Sequence, residues 1–220
     1  AIFLLSGLRV HSVYRRDRSP FALFLSGFFL FFFLQQLLFF MGTGLLSDDP
    51  GVNSVLWAVA HIFMFAGISV FIRLPLRIKF PKAEKAVFLA SVAYSIFGSI
   101  FLLYSASGVD AKVLDNNIFF FEVPAAAGAV IGIFTTLSLV FALYVFISEM
   151  VRIRDDRESR LKLGLLSLGT FLFLVGGPMH NFVYGPTMLV IADSMIVLGA
   201  LTLLAGIEAG RIVGLLRRGD

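Results

Sequence analysis

The chain has 220 residues, 59% of them hydrophobic and 26 of them Phe, with a mean hydropathy of +0.94 and a formal net charge of +4. So much apolar side chain excludes a soluble globular domain, and several apolar runs of about 18 or more residues are long enough to cross a hydrocarbon core of roughly 30 Å. The lack of cysteine excludes disulfides, c-type haem attachment and thiolate metal sites, and the runs do not alternate as the ~10-residue strands of a membrane β-barrel do.

The fold expected is all-α: a polytopic transmembrane bundle of seven helices, the first partial, forming a single domain over 1–220. The first helix, in AIFLLSGLRV, ends near Val10 and reads as the tail of a helix that starts before Ala1. Full spans follow at about 20–42, 53–74, 86–106, 124–148, 162–181 and 186–207. The connector 107–123, SGVDAKVLDNNIFFFEV, is the longest; its IFFF run is expected to lie in the interface or to cap the bundle.

Charge gives the expected orientation. The connector after the first helix holds Arg9, Arg15, Arg16 and Arg18. The next connector on that side holds Arg73, Arg77, Lys79, Lys82 and Lys85. Arg152, Arg154, Arg157, Arg160 and Lys162 follow, and then Arg211, Arg217 and Arg218 in the tail. Lys112 is the one base on the other side. Basic residues mark the cytoplasmic face, so these connectors and the C-terminus are expected inside an integral plasma-membrane protein, and the N-terminus of the first helix outside. The pI of 9.6 then signals topology and contact with anionic lipid, not nucleic acid. The outer side is acidic, with Asp48, Asp49, Asp110, Asp115 and Glu122. Trp57, Tyr104 and Tyr184 fall near the outer boundary, as an aromatic belt does.

VFIRLPLRIK (70–79) and VFISEMVRIR (145–154) share VFI and a following RI plus base, each at the inner end of an out-to-in span. With the first two helices as a more divergent unit, the pattern reads as three in-phase hairpins plus a final helix, a repeat arrangement known in transporters. The plainer reading is that Val, Phe and Ile are common here and that bases follow any helix ending inside.

Polar side chains within the spans carry the functional expectation. FFLFFFLQQLLFF (28–40) holds Gln35 and Gln36 in a field of Phe and Leu. At about 1.5 Å per residue, these two, His61 and Asp193 all lie roughly 10 Å in from the outer edge. His180 stands a little above them, after Gly176-Gly177-Pro178, read as a helix break. Ionisable groups at such depth usually face a bundle interior. Each also has a structural explanation: Gln as interhelical glue, a lone His as a packed residue, Asp in a buried pair.

Several ligands suit this set. Haem b would take His61 and His180 as axial ligands, with Ala58, Ala60, Gly67, Gly176 and Gly177 making room. A metal ion would take His61, His180 and Asp193, or a softer set with Met64 or Met179 that suits Cu(I). A proton or substrate path would use the same groups, although the inner halves offer only hydroxyls such as Thr135, Thr136 and Ser138. No span has a lysine in its core, which excludes a retinal Schiff base. No P-loop, GxSxG or HExxH occurs. The small-residue runs AAAGAVIG (125–132) and GALTLLAG (199–206) are read as helix-packing surfaces. The leading expectation is a non-catalytic membrane subunit binding haem b or a metal ion in electron transfer. The alternative is a sensor or transport protein using the same site for protons or a small ligand, alone or with other membrane subunits or a cytoplasmic signalling partner.

Overall fold

A computed structural model of the chain describes residues 1–42, 49–114, 118–182 and 185–216. Helices dominate it: α1 (Ile2–Asp17), α2 (Pro20–Phe40), α3 (Pro50–Phe71), the short α4 (Arg73–Lys79), α5 (Glu84–Ser105), α6 (Ala125–Arg152), α7 (Arg157–Phe182) and α8 (Pro186–Leu216). Six helical stretches, from Pro20–Phe40 to Pro186–Ala209, are long and apolar enough to cross a membrane. Tyr184 falls outside the described residues, as do Asp48, Asp115, Arg217 and Arg218.

The helices outrun their apolar runs. α1 continues past Val10 to Asp17, so Arg9, Arg15 and Arg16 ride on its later turns and not in a connector. Nothing in VHSVYRRD breaks a helix. The stop comes from Arg18, in the left-handed region at φ 52°, and Pro20 then occupies the first turn of α2. α6, α7 and α8 likewise extend into charged turns, because hydropathy marks the hydrocarbon boundary and not the helix end. Asp49 caps α3 by accepting from the backbone N–H groups of Gly51 and Val52 at 2.9 and 3.1 Å. Asp156 caps α7; it accepts from Ser159 Oγ at 2.6 Å and from two backbone N–H groups, which holds its carboxyl below the usual range. That cap stabilises the start of α7 above the ordinary carboxylate pKa and is lost as pH falls through the lowered value.

Two findings correct the expected outline. β1 (Asp110–Leu114) pairs antiparallel with β2 (Ile118–Glu122), in the register Asp110↔Glu122 and Lys112↔Phe120. This is the one strand pairing among the described residues. The expected break at Gly176-Gly177-Pro178 is absent: Pro178 sits inside α7, which runs unbroken to Phe182. Proline removes one ladder N–H, and a membrane bundle tolerates this where neighbouring helices surround the site.

Helices adjacent in sequence pack together, with α3 on α5 and α5 on α6, and α8 returns to touch α1. Phe explains much of the core. Phe28, fully buried, meets Phe32, Phe71 and Phe173 at ring-centroid distances of 4.5, 4.9 and 5.3 Å. Each such pair adds about 0.5–1.5 kcal/mol beyond burial. α7 and α8 approach most closely, because glycines face backbone: a Cβ on Gly169 would lie 2.9 Å from Gly199 O, and one on Gly176 2.9 Å from Ala192 O.

The two VFI segments meet. Phe71 and Phe146, equivalent within them, are both fully buried and stack edge-on at 6.3 Å. Ion pairs surround this end. Glu84 binds Arg73 at 2.7 Å; buried Glu149 binds Arg152 at 2.5 Å and lies 3.9 Å from Lys79. The Arg73 guanidinium also lies over Phe24 and Phe88, at 4.2 and 4.7 Å from the ring centroids. In sequence these bases signal topology and contact with anionic lipid; in the structure they also tie α4, α5 and α6 together.

Candidate functional site

A cavity of about 280 Å³ opens at the end of the bundle opposite these ion pairs. Five helices supply its wall, each through one stripe of side chains. α2 gives Phe28, Phe32, Gln35, Gln36 and Phe39; α3 gives Trp57, His61, Met64 and Ile68. α6 contributes Ile131, Gly132, Thr135 and Leu139, α7 contributes Phe173, Gly177 and Pro178, and α8 contributes Leu189, Asp193 and Ile196. Spacings of three and four within each set are what one helix face presents. From β2 and the residues after it come Phe121 and Val123, two apart and so on one side of an extended chain. The IFFF run therefore caps the cavity through Phe121, whose ring meets Phe39 at 5.8 Å.

The structure brings together Gln35, Gln36, His61, Met64 and Asp193 around this one cavity. Gln35 is buried at 6% exposure, whereas Gln36 and Asp193 are exposed. His180 lies on α7 with its side chain outside the described set. Met179 does not line the cavity. Trp57 departs from the expected belt: it is 3% exposed and packs against His61 at 4.4 Å between ring centroids. Depth alone does not say whether an aromatic faces lipid or the bundle interior. Tyr104, 85% exposed, does face outward.

His61 is held in a defined tautomer. Its Nδ1 lies 2.8 Å from Trp57 O. A carbonyl only accepts, so Nδ1 carries the proton and donates, leaving Nε2 with the lone pair in the neutral ring. Phe39 packs edge-on against the imidazole at 5.6 Å.

Two polar atoms of the wall stand out. Gln35 Oε1 and Thr135 Oγ1 are buried and have no hydrogen-bond partner among the described residues, and both residues line the same cavity. A buried polar atom left unsatisfied costs about 1–3 kcal/mol. Thr135 was read in sequence only as a hydroxyl on the inner route. Its spacing of three from Gly132 and four from Leu139, on the α6 stripe, was the available signal.

The wall suits some ligands better than others. Of the small residues expected to make room for haem b, Ala58 and Ala60 are fully buried and outside the cavity wall. Gly67 packs against Phe31 and Phe32, and Gly176 against Ala192 O; only Gly177 borders the cavity. The volume falls at the small end of ligand pockets, roughly 300–1,000 Å³, and among the described residues no Lys or Arg lines the wall. Among the described residues, no three His, Asp or Glu side chains gather to hold a metal ion; His61 and Asp193 are the two members of the expected set seen at the cavity.

The small-residue runs also divide. Gly199 and Gly206 pack on α7 as expected, 3.1 Å from Gly169 O and 3.3 Å from Lys162 O at their Cβ positions. Gly128 and Gly132 do not pack: nothing lies within 4 Å of a Cβ built on either. Gly132 instead widens the cavity.

No family model matches this chain, and no curated protein resembles it significantly. The class rests on the helices themselves: a multi-pass helical membrane protein, with a cavity of mixed aromatic and polar character near one end of its helices.

Proposed function

We propose that this chain is an integral plasma-membrane protein that holds a small ligand in the outer half of a seven-helix bundle, as a sensor or transport protein. Its plan is three in-phase hairpins, α1–α2, α3–α5 and α6–α7, followed by α8. Almost all bases lie at the ion-paired end, which supports a cytoplasmic C-terminus with the N-terminus of α1 outside. The cavity then faces the extracytoplasmic side.

The observation that carries the ligand reading is the pair of unpartnered buried atoms, Gln35 Oε1 and Thr135 Oγ1, on one cavity wall. Polar atoms left unsatisfied by the fold are placed to be satisfied by what binds. The wall around them is largely Phe, Trp, Ile and Leu, so the ligand carries an apolar body with few polar groups. Electron transfer through a bound metal ion is the second reading, and the Nε2 lone pair of His61 is the observation in its favour.

Trp57 is the only tryptophan in the chain and lines the cavity, so its emission reports occupancy. Titrating the purified protein in nanodiscs with 2-phenylethanol and with 2-phenylethylammonium is expected to give a saturable emission change with at least one of them. Thr135→Val keeps the side-chain shape and removes the unpartnered hydroxyl. It is expected to melt no lower than the parent and to bind about tenfold more weakly, the equivalent of one hydrogen bond. No saturable change with either probe, or a clear fall in melting temperature in Thr135→Val, would contradict the reading.

A further inference from the structure

We infer that the cavity takes a short linear amphiphile, a hydroxyl head on an unbranched alkyl chain, and that a closed floor limits the length of the chain. The inference rests on the reading of the cavity as a ligand site and adds the form of what enters it.

The two unpartnered atoms stand at one level. A Cβ on Gly67 would lie 3.2 Å from Phe31 Cβ and from Phe32 Cδ2. α2 and α3 run antiparallel, so three or four residues further along α2, and three back along α3, Gln35 comes level with Met64. From α6, the Phe134 ring meets the Phe65 ring at 5.3 Å, which brings Thr135 to the same level. The two atoms differ in chemistry: the Gln35 amide oxygen only accepts, whereas the Thr135 hydroxyl also donates. One ligand hydroxyl between them donates to Gln35 Oε1 and accepts from Thr135 Oγ1. A ligand with no donor leaves the amide oxygen unsatisfied.

Toward the ion-paired end the wall is formed by Phe28, Phe32, Ile68, Leu139 and Phe173. Phe28, Phe32 and Phe173 pack on one another with ring centroids 4.5, 5.3 and 5.5 Å apart, making one firm side. Beneath them the space ends. Phe28 meets Phe71 at 4.9 Å and Phe71 meets Phe146 at 6.3 Å, and all three are fully buried. Phe71 and Phe146 lie outside the cavity wall, so these rings are its floor.

Shape follows from the same residues. The wall runs along α3 from Trp57 to Ile68, eleven residues or about 16 Å. A volume of about 280 Å³ over that length makes a narrow slot. Below the polar level, Ile68 lies four residues beyond Met64, Leu139 four beyond Thr135, and Phe28 seven before Gln35. That depth is about 6–10 Å, room for an extended chain of roughly five to eight carbons. A hydroxyl held at Gln35 and Thr135 therefore directs its chain into an apolar slot that a longer chain overfills.

Primary alcohols from 1-butanol to 1-dodecanol test this on the whole chain in nanodiscs, with Trp57 emission as the readout. Each added methylene is expected to tighten binding about fourfold as far as 1-octanol. 1-Decanol and 1-dodecanol are expected to bring no further gain, although partition into the bilayer keeps rising. Octane keeps the chain and lacks the hydroxyl; at equal concentration in the bilayer it is expected to bind about tenfold more weakly than 1-octanol. Leu139→Phe thickens the deep wall and is expected to move the break down to about 1-hexanol, with 1-butanol unaffected. Affinity that climbs unbroken to 1-dodecanol, or equal binding of octane and 1-octanol, would overturn the inference and leave the ligand site standing. So would saturable binding of 2-phenylethanol or 2-phenylethylammonium with no response to any alkanol. Silence with the alkanols and with both phenyl probes would remove the ligand site itself. The series in the parent protein needs no variant, so it stands even where Leu139→Phe folds poorly.

Discussion

Gly132→Leu is expected to abolish binding of either probe while leaving the protein as stable as the parent or more so. Gly132 sits at the cavity wall on α6, and no atom lies within 4 Å of a Cβ built on it. The new side chain therefore has room to enter, and the room it takes is the cavity. Leucine in a helix is also favoured over glycine by roughly 0.8 kcal/mol. The melting temperature should hold or rise, and the Trp57 response to either probe should weaken by about a hundredfold or disappear, near 3 kcal/mol of lost binding. Unchanged binding in a folded Gly132→Leu protein would mean that the ligand lies elsewhere. The pairing of gained stability with lost binding separates a site from a packing defect, since defects lose both.

Gly169→Val and Gly199→Val are expected to do the reverse and to destabilise the helices themselves. A Cβ on Gly169 would fall 2.7 Å from Leu203 Cγ and 2.9 Å from Gly199 O; one on Gly199 would fall 2.9 Å from Phe173 Cδ2. A leucine tip moves cheaply, but a backbone carbonyl moves only with its helix. Overpacking of this kind costs about 1–3 kcal/mol and sometimes more, read as a lower melting temperature in detergent. The two glycines face each other, so the double variant should cost less than the sum of the singles. α7 carries Gly177 and Pro178 and α8 carries Asp193, so separating the helices should also weaken probe binding. Melting temperatures equal to the parent in both variants would mean that α7 and α8 do not pack through these residues.

The contrast between Gly132 and Gly199 shows where sequence reading stops. AAAGAVIG and GALTLLAG have the same small-residue signature, and composition assigns both to helix packing. GALTLLAG packs through its glycines, whereas AAAGAVIG packs through Ala127 and Val130 and leaves Gly132 at the cavity, because the neighbour each residue faces is set by tertiary arrangement. Hydropathy located the spans well, since lipid constrains composition over some 20 residues at a time. Depth, counted at a fixed rise per residue, placed Gln35, His61 and Asp193 at one level, and the helices bring them to one cavity. Azimuth was harder to read. Trp57 matched a lipid-facing belt by depth and instead faces inward, fully packed on His61. The α2 stripe of Phe28, Phe32, Gln35 and Phe39 was legible as spacing, but a segment apolar on every side gives no contrast to show which stripe faces the interior. Pro178 gave a strong helix-stop signal that holds in water and weakens in a bundle, where an interrupted ladder is surrounded by other helices. The pairing of β1 with β2 was hidden because two five-residue strands inside a connector resemble an ordinary loop.

Thiol labelling at position 135 tests most directly whether one shared chamber reaches the unpartnered polar atoms. The chain has no cysteine, so Thr135→Cys introduces a sole thiol at the cavity, and Ser138→Cys introduces one at a site that is 5% exposed and outside the cavity wall. A small methanethiosulfonate reagent should modify Thr135→Cys readily and Ser138→Cys hardly at all. Adding Gly132→Leu, three residues away on the same helix face, should block the reaction at position 135. Equal inertness of the two thiols, or labelling at 135 that ignores Gly132→Leu, would contradict the account.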